Sequence, residues 1–196
     1  MALHRPRAAG FDRMQAIKDV CQMRLSHESA NDIMDLQLEQ RSGKGKRQMK
    51  IVKIDDGDKT KYIELLLIAD EQIHMIEKYL YRGDMFALCD DDVRAICVVT
   101  QEHAGRYELK NIVTVPEHQR KGYGQKLIAF IVDHYKKSGS ELYVGTGDTP
   151  MTLHFYEKCG FLKSHIVKDF FAENYDHPIY EDGQQLIDMI YLKRDL

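Results

Sequence analysis

From residue 49 the apolar side chains recur with two different periods. Met49-Lys50-Ile51-Val52-Lys53-Ile54 alternates as a strand does, and the Asp55-Asp56-Gly57-Asp58 that follows is turn chemistry. Helical spacing takes over across 61–69 and 71–81, until Gly83-Asp84 breaks it and Met85-Phe86-Ala87-Leu88-Cys89 opens a second strand. Asp90-Asp91-Asp92 reads as a hairpin turn into strands over 93–100 and 107–115, whose short joint suits an antiparallel meander ended by Pro116. Leu127, Ile128, Ile131 and Val132 give a helix over 122–137 one apolar face, and Ser138-Gly139 closes it. A strand over 141–144 follows, then Gly145-Thr146-Gly147-Asp148. A helix opened by Pro150 and ended by Gly160 comes next, then strands over 161–167 and 186–192. These strand-helix-strand pieces around a mainly antiparallel sheet predict a mixed α/β domain with one buried crossover.

Residues 1–48 are patterned differently. Met14, Ile17, Cys21 and Leu25 recur at helical spacing after Asp12, an N-cap with Gln15 three residues on, and a second short helix is predicted over 29–39. Arg41-Ser42-Gly43-Lys44-Gly45-Lys46-Arg47 holds two glycines and four cations and reads as a flexible linker. Two helices bury too little to fold alone. The boundary is therefore placed near residue 48, with 1–48 a helical N-terminal extension dispensable for folding and chemistry, and 49–196 the folded domain.

Charge follows the same division. Nine Lys+Arg against six Asp+Glu make 1–48 net +3, and 19 against 25 make 49–196 net -6, giving -3 for all 196 residues. Such a balance offers no general attraction to nucleic acid or an anionic membrane, so neither is expected as a partner. Cys21, Cys89, Cys97 and Cys159 form no close pair, which excludes CxxC metal and redox motifs and predicts no disulfide framework. No apolar run nears the roughly 18 residues of a membrane span, and the N-terminus lacks the apolar core of a signal peptide; a cytoplasmic protein is expected.

The segment richest in chemistry is Val113-Thr114-Val115-Pro116-Glu117-His118-Gln119-Arg120-Lys121-Gly122-Tyr123-Gly124-Gln125, a strand running through a glycine-containing loop into a helix. Unpaired N–H groups at a helix N-terminus aim at one point, the dipole adds about half a positive charge, and glycines let an oxygen approach the backbone. Arg120 and Lys121 add a cationic rim. Alone, the segment also reads as a helix start with two turn glycines. Neither Gly122-Tyr123-Gly124 nor Gly145-Thr146-Gly147 reaches the third glycine of a dinucleotide fingerprint, and no Gly-Lys-Ser/Thr of a P-loop occurs.

Gln119-Arg120-Lys121-Gly122-Tyr123-Gly124 resembles the Q/R-x-x-G-x-G/A element of the GNAT superfamily of acetyl-CoA-dependent N-acetyltransferases, with Val113 and Val115 in the strand before it. Thr149-Pro150-Met151-Thr152-Leu153-His154-Phe155-Tyr156-Glu157-Lys158-Cys159-Gly160-Phe161 is similar to that family's N-x-x-A-x-x-x-Y-x-x-x-G-F helix. Thr149 and Thr152 replace the usual Asn and Ala. The resemblance covers about 49–196. It implies the GNAT fold, a mixed, mostly antiparallel central sheet splayed at the cofactor cleft and flanked by helices, with acetyl-CoA as co-substrate.

The same resemblance implies roles. The strands over 108–115 and 141–144 part; Val113, Thr114 and Val115 pair with the pantetheine amides, and Gln119, Arg120, Lys121, Gly122, Tyr123, Gly124 and Gln125 hold the pyrophosphate. Thr149 supplies a hydroxyl to the pantetheine arm. Tyr156 protonates the departing thiolate and Glu108, directly or through water, takes the proton of the amine. A core tyrosine and an exposed strand carboxylate are the plainer readings of these two.

The stretch 170–183 carries four aromatics and four carboxylates and is expected to line the acceptor opening, with Glu173, Tyr175, Asp176, Glu181 and Asp182 favouring a small cationic amine. An acidic, solvated loop pinned by aromatic packing has the same composition. Nine histidines without ligand spacing suggest no metal. A non-catalytic CoA- or peptide-binding module and a protein or peptide N-acetyltransferase remain as other readings, and a homodimer is left open.

Overall fold

The computed structural model describes residues 33–34 and 49–196. Its main sheet has eight strands in the order β1-β2-β3-β4-β5-β6-β10-β7. They are β1 (Ile33–Met34), β2 (Lys50–Ile54), β3 (Asp84–Asp90), β4 (Asp92–His103), β5 (Arg106–Thr114), β6 (Glu141–Thr146), β7 (Leu162–Val167) and β10 (Met189–Asp195). Only β5 and β6 pair in parallel, and the helix joining them, α3 (Tyr123–Tyr135), is the buried crossover. The other helices are α1 (Ile63–Leu66), α2 (Ile73–Leu80), α4 (Pro150–Lys158) and α5 (Phe170–Asn174).

Helices cover both faces of the sheet. On one face α1 and α2 bury Leu65, Leu66, Ile76 and Leu80 against Met85, Ala87, Ile96 and Val98. On the other, α3 and α4 bury Leu127, Ile128, Ile131 and Leu153 against Phe86, Leu88, Cys97 and Val99. A strand covered on both sides loses its alternation, which explains the unbroken apolar run in β3.

A bulge in β5 decides which side chains face which core. Val98 pairs with Asn111 and Val99 with Leu109, so Lys110 is the extra residue. Before it, Tyr107 and Leu109 face the α3/α4 core; after it, Val113 and Val115 face the α1/α2 core. Asn111 therefore turns toward α1 and α2.

Several expected elements shift. In place of the helix over 61–69, a 3-10 helix, Asp56–Tyr62, runs into the one-turn α1; Lys59 within it is buried and donates to the Gly83 carbonyl at 2.5 Å. The helix over 71–81 shortens to α2. Within the helix expected over 29–39, Ile33 and Met34 are instead extended and pair with Val52 and Ile51 along the edge of β2. The rest of that helix, the helix expected across 12–25 and the linker 41–47 lie outside the described residues. The last strand begins at Met189, not 186, because Leu186 leaves the sheet to join Phe171 and Ile179 in a third small core. The connection over 170–183 holds α5 and a hairpin of β8 (Tyr180–Glu181) and β9 (Gln184–Gln185), whose two-residue turn Asp182-Gly183 has positive φ at both positions. Cys97 and Cys159 are free and buried, but Cys89 is disulfide-bonded, against expectation. No helix among the described residues is long and apolar enough to cross a membrane.

Candidate active site

The sheet splits between its two parallel strands. β5 and β6 pair from Arg106↔Glu141 to Leu109↔Val144 and no further. Beyond that point β5 stays paired with β4 through Thr114, and β6 with β10 through Thr146. The facing edges of 110–114 and 145–146 therefore form a wedge with unpaired backbone groups. The opening starts after Leu109, two residues later than the parting over 108–115 that the sequence implied, so Glu108 lies in the zipped part.

At the wide end of the wedge the chain turns into α3. The loop passes through a 3-10 turn, Pro116–His118, and left-handed conformations at Arg120 (φ 60°) and Gly122 (φ 82°) before the helix starts at Tyr123. The first N–H groups of a helix have no intrahelical acceptor, and the first bond into this one is from Lys126 N to the Gly122 carbonyl at 3.1 Å. A Cβ built on Gly124 would lie 3.3 Å from Phe155 and 3.4 Å from Thr114 Oγ1. The glycine thus brings the helix start close to both the end of β5 and α4.

The cationic rim is partly internal. Lys121 Nζ donates to the Glu117 carbonyl at 2.9 Å, and the Tyr123 hydroxyl donates to Asp90 at 2.8 Å. Arg94 Nη1 lies 2.7 Å from His118 Nε2, and Arg94 Nε is buried with no hydrogen-bond partner among the described residues. Burial and the neighbouring Arg94 and Lys121 charges push the His118 imidazole below its ordinary pKa.

On the other wall, α4 presents Tyr156. Its ring is buried edge-on against Phe155 and Phe161. Burial first, then the Cys159 and Glu181 charges, pushes its phenol far above the ordinary value, so the hydroxyl stays protonated. Thr149 and Thr152, at the start of α4, both donate to the Glu181 carboxylate, at 2.9 and 2.5 Å.

Facing the wedge from the α1/α2 side is a polar cluster. Asn111 Nδ2 donates to the Leu66 carbonyl at 3.1 Å and to Tyr79 Oη at 3.0 Å. A carbonyl only accepts, which fixes the amide orientation and leaves Asn111 Oδ1 buried without a partner among the described residues. Tyr79 donates to one oxygen of Asp70 at 3.2 Å and Tyr175 to the other at 3.1 Å. Glu108 accepts from Lys110 at 2.7 Å and Tyr191 at 3.1 Å, and His165 stacks on the Tyr191 ring, 4.7 Å between centroids. Asp176 takes contacts from Gln72 and His177. No group of three or more His, Cys, Asp or Glu among the described residues is arranged to hold a metal ion.

Residues 81–163 match the family described as the acetyltransferase (GNAT) domain. The Bacillus subtilis protein YvbK, an uncharacterized N-acetyltransferase, is 33% identical over 153 residues, which span 76% of this chain and 99% of YvbK. The chain belongs to the GNAT family. A Bacillus subtilis acetyltransferase crystallised with CoA shares 30% identity and a TM-score of 0.70, over 76% of this chain and 99% of that one. A GNAT acetyltransferase from Elizabethkingia anophelis with acetyl-CoA bound shares 30% identity and a TM-score of 0.71, over 76% and 98%. The protein is an acetyl-CoA-dependent N-acetyltransferase.

Within this GNAT domain the structure groups the sequence's candidates unevenly. Thr114 and the loop 119–125 lie at the wide end of the wedge, Val113 and Val115 turn their side chains into the α1/α2 core, and Tyr156 is buried in the α3/α4 core. Thr149 is buried and bound to Glu181, so each occupies the other. The acidic stretch does not act as one surface: Glu181 turns to α4, Asp176 to Gln72 and His177, and Tyr175 to Asp70, while Glu173 and Asp182 are exposed. Sequence reading missed Asp70, Asn111 and Arg94. Nothing local marks them; each matters through a partner distant in sequence.

Two carboxylates one residue apart should then behave differently. Charge-assisted hydrogen bonds contribute about 1.5–3 kcal/mol, so Glu181→Ala is expected to lower stability by roughly 2 kcal/mol. Asp182→Ala, at the exposed hairpin tip, should change it by under about 0.5 kcal/mol. Denaturant unfolding of the two variants reads this directly; equal effects would mean that the bonds from Thr149 and Thr152 to Glu181 carry no weight.

Proposed function

We propose that the protein transfers the acetyl group of acetyl-CoA to a small cationic primary amine by direct attack in a ternary complex. The observation that carries this reading is the wedge itself, with unpaired amides along 110–114 and at the start of α3 on its floor, and carboxylates on its α1/α2 side. In this reading Val113, Thr114 and Val115 align the pantetheine arm, while Gln119, Arg120, Lys121, Gly122, Tyr123, Gly124 and Gln125 hold the pyrophosphate, with Arg94 behind them. Thr149 contributes through its hold on the segment that carries Glu181. Tyr156 gives the thiolate its proton, and a carboxylate beside the split receives the proton of the amine.

The charge of the acceptor follows from what surrounds the opening. Asp70, Glu71, Glu108 and Asp176 lie on that side, with the Tyr175 and Tyr191 rings, and residues 49–196 are net -6. Glu173, Glu181 and Asp182 reinforce this field from further out. A cation gains there and an anion is repelled, by at most about 1 kcal/mol per exposed pair.

Residues 49–196 form the transferring unit, with 1–48 adding β1 at the sheet edge; the relatives' coverage of about three-quarters of the chain supports this. Thiol release from acetyl-CoA, measured across diamines, aminosugars, amino acids and peptides, tests the reading. A small cationic amine should be the best acceptor, with KM rising with ionic strength, and a chain starting at Met49 should retain the rate. A best acceptor of net negative charge would refute the proposed class.

A further inference from the structure

We propose that Asp70, rather than Glu108, takes the proton that makes the acceptor amine a nucleophile, with Tyr79 and Tyr175 as the positioning residues that hold its carboxylate at the split. The inference rests on the transfer reading above. Asp70 stands in the short connection between α1 and α2, and its two oxygens are bonded from opposite halves of the split sheet. Tyr79 reaches one oxygen and is itself anchored to Asn111, in the stretch of β5 that has left β6. Tyr175 reaches the other from the segment joining β7 to β10, the far half. Asp70 is therefore fixed across the wedge by groups that move only if the two halves move.

Glu108 is less suited. It sits in the zipped part of β5 and its carboxylate is ion-paired with Lys110 at 2.7 Å, a cation that competes with any ammonium. No ion pair to Asp70 is formed among the described residues, and its hydrogen-bond donors, two phenols and the Gln72 backbone N–H, are neutral. The groups around it are Tyr79 and His74 from α2, Tyr175 from the facing segment, and the adjacent Glu71 and Gln72. Burial raises the Asp70 carboxyl above its ordinary value, and the bonds from Tyr175, the Gln72 backbone and Tyr79 restrain the rise. A carboxylate of raised basicity is a better proton acceptor at neutral pH. The unpartnered Asn111 Oδ1, one hydrogen bond from Tyr79, supplies an acceptor for an N–H of the amine or for a bridging water.

The step balances without a further reagent. The ammonium gives one proton to the Asp70 carboxylate, which later releases it to solvent. The free amine attacks the thioester carbonyl carbon, the C–N bond forms and the C–S bond breaks. The thiolate takes a proton from the Tyr156 hydroxyl, which regains one from the amide nitrogen.

The test compares full-length wild type with Asp70→Asn, Glu108→Gln and Tyr175→Phe, following thiol release against pH, with 1,4-diaminobutane as amine and with no amine at all. Asp70→Asn should lose about 10²-fold or more of kcat/KM at neutral pH, and the acid limb of the profile with it. Its amine-independent hydrolysis of acetyl-CoA should fall in parallel, because water needs the same base. Glu108→Gln should keep both the limb and most of the rate. Tyr175→Phe removes a bond to the ionised carboxylate and should move the acid limb to higher pH, which a merely structural tie would not do. In Asp70→Asn the amide oxygen still accepts from Tyr79 and the NH2 group donates to the Tyr175 oxygen in place of the bond it accepted, so the variant should melt near wild type.

If the diamine and every other amine fail to accelerate thiol release, the transfer reading fails while hydrolysis still reports on Asp70. A wild-type rate and profile in Asp70→Asn, in hydrolysis as in transfer, or a profile that Glu108→Gln abolishes instead, overturns the assignment.

Discussion

Tyr156→Phe is expected to lower kcat by about 10²- to 10⁴-fold, the usual range for a lost general acid, while KM for acetyl-CoA stays within about twofold. The ring would keep its contacts with Phe155 and Phe161, so the fold should survive. Only the proton for the thiolate disappears. Because burial keeps this phenol protonated, the loss should be nearly independent of pH across the neutral range. Steady-state kinetics with a fixed amine measure it, and a wild-type kcat in the variant would return Tyr156 to a packing role.

Gly124→Leu is the second large effect and falls on the cofactor. Acetyl-CoA binding only the folded state adds about 2.7 kcal/mol at a hundredfold excess over Kd, roughly 5–10 °C in Tm for a chain of this size. In Gly124→Leu that shift should vanish. The first carbon of any side chain there already meets Phe155 and Thr114 at 3.3 and 3.4 Å, so the remaining atoms of leucine must occupy the space over the helix amides. Overpacking will also destabilise the unliganded protein by about 1–3 kcal/mol, so the measured quantity is the ligand-dependent difference within the variant. A full shift in folded Gly124→Leu would place the cofactor elsewhere.

Local chemistry was legible in the sequence. The strand, glycine loop and helix of 113–125 needed only short-range pattern, whereas Tyr156 was singled out by the resemblance of 149–161 to the family's helix. Residue type was legible in the acidic stretch as well, but direction was not. Whether Glu181 faces solvent or the start of α4 depends on a partner 32 positions away in Thr149. The same limit hid Asp70, which acquires its character only when Tyr175 arrives from 105 positions along the chain. Leu186 misled for a related reason: as an apolar residue before a strand it extends the pattern, yet Phe171 and Ile179 draw it out of the sheet. The bulge at Lys110 leaves the apolar alternation of β5 intact while exchanging its faces, so no periodicity could reveal that Asn111 turns toward α2.

Amide hydrogen exchange with and without acetyl-CoA tests most directly the claim that the cofactor lies in the split between β5 and β6. Protection should rise in 110–114, where β5 lacks a partner on one edge, and in 120–125 at the start of α3, with little change in β2, β3 or the β8–β9 hairpin. Binding that leaves both of those segments unprotected would contradict the account.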